Sequence, residues 1–151
     1  MRSLRFASVL APSLVLVLAS CTAATPTPAA GTSIAVTLQE WAVLPAQATA
    51  PAGEITFSVT NNGPDDVHEL VVMKTDLDPA ALPTVDDGSV DEAGEGIEVV
   101  VGEIEDIPVG ASMDLTVTLA AGNYVLLCNI YTVEEDEAHY EMGMRTAFTV
   151  E

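Results

Sequence analysis

Two imidazoles, one thiol and one thioether are the side chains here whose combination could do chemistry. His68 and His139 are the only histidines of the 151-residue chain, and His139 follows Cys128 in the last loop. Met144 lies five residues beyond His139. A thiolate with two neutral imidazoles suits a soft to borderline metal. Copper fits best, in a His₂Cys set completed by a weak axial Met. Zinc more often recruits further cysteines or a carboxylate, and calcium takes only oxygen ligands. Each residue alone has a plainer reading: a buried Cys is a small hydrophobe, and an isolated His is a surface or hydrogen-bonded residue. Met142 is a second thioether, but Met144 follows Gly143 and opens the last apolar-alternating segment, which favours it.

Catalytic patterns are missing. There is no Gly-rich phosphate loop, no HExxH and no Gly-x-Ser-x-Gly. A Cys128–His139 nucleophile pair has no third group to orient it, so no enzyme is expected. Asp86-Asp87-Gly88 with Asp91-Glu92 misses the spacing of a calcium loop.

The second cysteine, Cys21, belongs to the N-terminal segment. Arg2 and Arg5 precede a mostly apolar run from Phe6 to Leu18, which is short for a membrane span. A positive start, a short apolar core and small residues before a cut read as an export signal. Leu18-Ala19-Ser20-Cys21 resembles the lipobox of bacterial lipoproteins, which implies cleavage after residue 20 and a lipidated Cys21. Residues 21–32, small, uncharged and Pro-containing, then read as a flexible linker, and 33–151 as the domain. With Cys21 lipidated, Cys128 is a lone thiol in an oxidising compartment, where burial or metal ligation protects it.

All 23 Asp and Glu residues follow Cys21, against Lys74 and Arg145 alone. The formal charge of −19 excludes a nucleic-acid binder, which needs a basic face. Anionic headgroups repel such a surface, so only the lipid would hold it at a membrane.

The ligand candidates need a rigid frame, and the chain supplies strands. Ile55–Thr60 alternates apolar and polar, then runs into Asn61-Asn62-Gly63-Pro64, which is strong turn chemistry. Val67–Met73 reads as its paired return strand. Met113–Leu119 alternates with Met113, Leu115, Val117 and Leu119 on one face, and Met73 and Met113 read as core. Tyr124–Cys128, Met144–Val150, Ser33–Leu38 and Ile97–Ile107 complete the set. Thr75–Gly96 reads as a long loop with one turn at Pro79–Leu82, and Trp41 as a packing residue. Six or seven such strands fit an all-β sandwich.

In order and context these residues resemble the cupredoxins, the plastocyanin- and azurin-type blue copper proteins. The matching pieces are Asn61-Asn62-Gly63 before His68-Glu69-Leu70, then Gly122-Asn123-Tyr124 leading to Cys128-Asn129-Ile130. The third is His139-Tyr140-Glu141-Met142-Gly143-Met144, closing on Phe148-Thr149-Val150. The resemblance implies a Greek-key sandwich of about seven to eight strands, with one type 1 copper ion on His68, Cys128, His139 and axial Met144. Leu70, Tyr124, Leu126 and Phe148 would form its apolar shell. It further implies a monomeric single-electron carrier outside the cytoplasmic membrane, steered by its acidic surface to a basic partner such as a cytochrome or oxidase domain. The alternatives are a copper-binding or copper-delivering lipoprotein without electron transfer, and a metal-free interaction domain. One departure stands out: ten residues, Asn129–Ala138, separate Cys128 from His139, where family members have only a few. They include Glu134-Glu135-Asp136-Glu137, expected as a solvated acidic loop that lowers the site's rigidity.

Overall fold

The computed structural model describes residues 31–151; the segment read as an export signal, Cys21 and all but the end of the expected linker lie outside them. Strands β1 (Thr32–Gln39), β2 (Ala42–Pro45), β4 (Gly53–Asn61) and β7 (Ser112–Leu119) form one sheet in the order β2-β1-β4-β7. Strands β3 (Thr49–Ala50), β5 (His68–Thr75), β6 (Ile97–Ile107), β8 (Gly122–Leu127) and β11 (Arg145–Val150) form the second, in the order β3-β11-β8-β5-β6. A small hairpin, β9 (Tyr131–Thr132) with β10 (Glu137–Ala138), and a one-turn helix α1 (His139–Met142) lie between β8 and β11. All seven strands expected from the pattern are present; the short β2, β3, β9 and β10 are additional.

Alternation builds the core. Ile34, Val36 and Leu38 of β1 and Ile55, Phe57 and Val59 of β4 turn inward to meet Leu70, Val72, Leu126 and Phe148 of the other sheet. Phe57 and Phe148 touch edge to face across the sandwich, with ring centroids 5.5 Å apart.

Two expectations are corrected. β4 and β5 do not pair: β4 lies between β1 and β7, and β5 between β6 and β8. The reason is in β5 itself, buried at six of its eight positions and thus covered on both faces, as a central strand is. Met113 is not core, being 43% exposed near the solvent end of β7.

The second face of β5 and β8 is covered by the loop that follows β5. Val71, Met73, Val125 and Leu127 pack there with Leu82, Val90 and Tyr140 into a second apolar cluster. A turn at Asp78–Ala81, closed by the Ala81 N–H to Asp78 O, leads Leu82 into it. Asp87 and Asp91 accept from the nearby backbone N–H groups of Ser89 and Ala93.

Candidate metal centre

Register brings the ligand candidates to one end of the second sheet. His68 opens β5 opposite Ile107, while Leu127, the last residue of β8, faces Val71 of β5 and Arg145 of β11. Cys128 and Met144 are the next residues outward on their strands. Their backbones bond: the Cys128 N–H donates to Met144 O, and the Met144 N–H donates to His139 O, both at 3.0 Å.

Asn61 fixes the approach to His68. Its side-chain amide donates to Asp66 O at 2.8 Å and Ile107 O at 2.9 Å, and its Oδ1 accepts from the Gly63 N–H at 2.8 Å. Gly63 sits at φ +61°, and a Cβ there would fall 2.7 Å from Val109. Asn61→Ala is expected to cost about 2–4 kcal/mol by denaturant titration, because each buried group left unpaired costs roughly 1–3 kcal/mol. Metal affinity should drop about tenfold as the His68 loop loosens.

The ten-residue insertion does not disorder His139. It folds as the β9–β10 hairpin, whose pairing of Ala138 with Tyr131 returns the chain, and the His139 N–H donates to Ile130 O at 2.9 Å. Glu134, Glu135 and Asp136 are exposed at its tip, as expected of a solvated acidic loop. Tyr140 then anchors the turn: its hydroxyl donates to Pro79 O and accepts from the Leu82 N–H. Gly143, at φ +122°, lets the turn exit beneath Trp41 O, which a Cβ would approach to 3.2 Å.

Two imidazole nitrogens and one sulfur converge. His68 Nδ1 and His139 Nδ1 lie 3.2 Å apart, and Cys128 Sγ is 3.3 Å from His139 Nδ1 and 4.0 Å from His68 Nδ1. Among the described residues they form a three-residue metal-ligand cluster, all buried. A first-row ion bonded at about 2.0–2.3 Å to imidazole and thiolate fits donors so spaced. No carboxylate joins the cluster. Met144 is fully buried in the same core as Cys128, whereas Met142 is 43% exposed. Leu70, Tyr124, Leu126 and Phe148 are buried in that core too.

Several neighbours of the centre carry no sequence signal. The Trp41 ring meets those of His139 and His68 edge-on, at centroid distances of 5.0 and 6.4 Å. Its packing role is therefore played at the metal centre. Thr132 Oγ1 lies 3.3 Å from His139 Nε2. The Glu69 N–H donates to Cys128 Sγ at 3.4 Å, and its carboxylate accepts from the Asn129 N–H at 2.8 Å.

Burial sets the protonation states. It holds the His68 imidazole below its ordinary range, helped by His139 and opposed by Glu40 and Asp66. Burial also lowers His139, against the pull of Asp66, Glu137 and Glu40. It pushes the Cys128 thiol up to about 12 and the Glu69 carboxyl up to about 7. Burial opposes charge on Glu40 as well, but the backbone N–H groups of Asp66 and Asp65 prevail and its carboxyl lies below the ordinary value. At neutral pH both imidazoles are therefore ready donors, and the thiol must release one proton to bind metal.

Comparison with known proteins gives the same answer for the fold. No family model matches the chain, and no curated protein matches it. Solved structures do. Reduced auracyanin from the photosynthetic bacterium Roseiflexus castenholzii is 27% identical with a TM-score of 0.58, over 82% of this chain and 99% of that one. Auracyanin A, a "blue" copper protein from the green thermophilic photosynthetic bacterium Chloroflexus aurantiacus, is 19% identical with a TM-score of 0.53, over 81% and 100%. Rusticyanin from Thiobacillus ferrooxidans is 17% identical with a TM-score of 0.51, over 79% and 76%. The chain is an all-β, cupredoxin-like sandwich whose His68–Cys128–His139 cluster is consistent with a single type 1 copper site.

Proposed function

We propose that this protein is a single-electron carrier working outside the cytoplasmic membrane, with one copper ion that His68, Cys128 and His139, together with Met144, would hold. The observation that carries the reading is the convergence of two Nδ1 atoms and one Sγ within 4.0 Å in a buried cluster at the end of the second sheet. Copper supplies the one-electron couple. The residues supply a frame that stays put: hairpin, α1 turn and Asn61-bound loop each fix one ligand, so little rearranges between oxidation states. Neither imidazole is open to water, which opposes hand-over of the ion by ligand exchange and supports electron transfer over delivery. The blue copper auracyanin A in the comparison supports the same reading. The lipobox supports anchoring through Cys21, and the acidic surface supports steering of a basic redox partner, an effect that salt weakens.

The test is a titration of the reduced protein with Cu(II), followed in the visible. One equivalent should generate an intense thiolate-to-copper band, with a reversible one-electron couple. A colourless product that binds Cu(I) alone would favour delivery, and no binding would leave an interaction domain.

The protonation states add a second expectation. With Cys128 protonated up to about 12, metal binding displaces its proton across the neutral range. Apparent affinity should therefore rise about tenfold per pH unit from pH 7 to 9. The lowered imidazoles remain deprotonated there and steepen the slope only below their ordinary value of 6.5. Competition titrations at several pH values check both slopes.

A further inference from the structure

The turn between β1 and β2 places a carboxylate behind His68. Glu40 Oε1 lies 3.5 Å from His68 Nε2, the ring nitrogen turned away from Cys128 and His139. The same oxygen accepts the Asp66 N–H at 2.8 Å and the Asp65 N–H at 3.2 Å, which ties it to the loop carrying His68. Among the described residues, two buried side-chain polar atoms have no hydrogen-bond partner: His68 Nε2 and Glu40 Oε2. They belong to these two facing side chains. An imidazole that offers its Nδ1 lone pair to a metal carries its proton on Nε2, and a buried N–H needs an acceptor.

We propose that Glu40 is a positioning residue of the metal centre, whose carboxylate takes the Nε2–H of His68, fixes the tautomer that presents Nδ1 and favours Cu(II) over Cu(I). The inference rests on the copper reading above and adds a residue to it. At 3.5 Å the pair stands just beyond a hydrogen bond. A proton held on Nε2 draws such a charge-assisted pair in to about 2.7–2.9 Å. Cu(II) with one thiolate and two neutral imidazoles keeps a net positive charge, whereas the Cu(I) centre is neutral. A carboxylate beside a site closed to water therefore stabilises the oxidised form more.

Glu40→Gln tests this in the copper-loaded protein, because the amide oxygen can still accept from Asp65 and Asp66 while the charge is gone. The thiolate–copper band should persist. The ratio of Cu(II) to Cu(I) affinity should fall about tenfold or more, read as a rise of about 59 mV in reduction potential per tenfold. Asp66→Asn removes a charge from the same loop and should raise the potential less. An unchanged potential in Glu40→Gln, or equal rises in both variants, overturns the assignment. Should Glu40→Gln fail to fold, the parent decides: its diamagnetic Cu(I) form should show the His68 Nε2–H as a strongly downfield proton resonance. That resonance at an ordinary imidazole position overturns the contact. A parent without any thiolate–copper band overturns the copper reading and this assignment with it, whereas a retained band with an unmoved potential overturns Glu40 alone.

Discussion

Cys128→Ser is expected to abolish the visible band and to weaken Cu(I) binding by more than about 100-fold, while the metal-free protein keeps its fold. The sulfur is the softest donor of the cluster and, with copper bound, would be the source of the charge-transfer band, so a hydroxyl in its place should remove both affinity and colour. Losing a neighbour of a ligand costs roughly 10–100-fold, and losing the ligand itself should exceed that. The fold should survive because the serine is nearly isosteric and has His139 Nδ1, 3.3 Å from the present sulfur, as a partner. Stability of the metal-free variant should thus stay within about 1 kcal/mol of the parent. Visible absorption, Cu(I) competition and thermal unfolding on the same preparations measure all three. Full retention of Cu(I) affinity would move the metal away from Cys128.

Phe148→Ala should have the largest effect on stability. Phe148 is 1% exposed and its ring meets Phe57 from the opposite sheet, so truncation opens a cavity between the two layers. Such substitutions cost about 3–5 kcal/mol, against a total stability of about 5–15 kcal/mol for a domain of this kind. The denaturation midpoint should drop accordingly with little change in slope. A loss below about 1 kcal/mol would mean that the sheets do not depend on this contact.

Much of the fold was legible because alternation is a local signal. Ile55–Thr60 and Met113–Leu119 announce half-buried strands without reference to anything distant. His68, Cys128 and His139 were legible through residue chemistry and resemblance: few side chains of those types exist here, and their order is similar to that of the cupredoxins. What the pattern hid was tertiary. The separation of β4 from β5 was written in the nearly continuous apolar run of Val67–Met73, the mark of a strand covered on both faces, and a half-buried partner strand would have alternated. Met113 continues the apolar face of Leu115, Val117 and Leu119 into the exposed first part of β7, so its periodicity is genuine and its burial is not. Glu40 and Trp41 carry no spacing signal, since a two-residue turn reaches His68 and His139 only after both sheets have closed. The acidic insertion looked like slack because loop length is visible in a sequence and hairpin pairing is not.

The phenol of Tyr140 joins two parts of the molecule that would otherwise evolve separately. One ring follows directly on the His139 imidazole and also receives the surface segment around Pro79–Leu82. An insertion or deletion in that segment would push on the ring and, through it, on His139. A stretch of chain some sixty residues upstream of His139 is therefore mechanically tied to the placement of that imidazole.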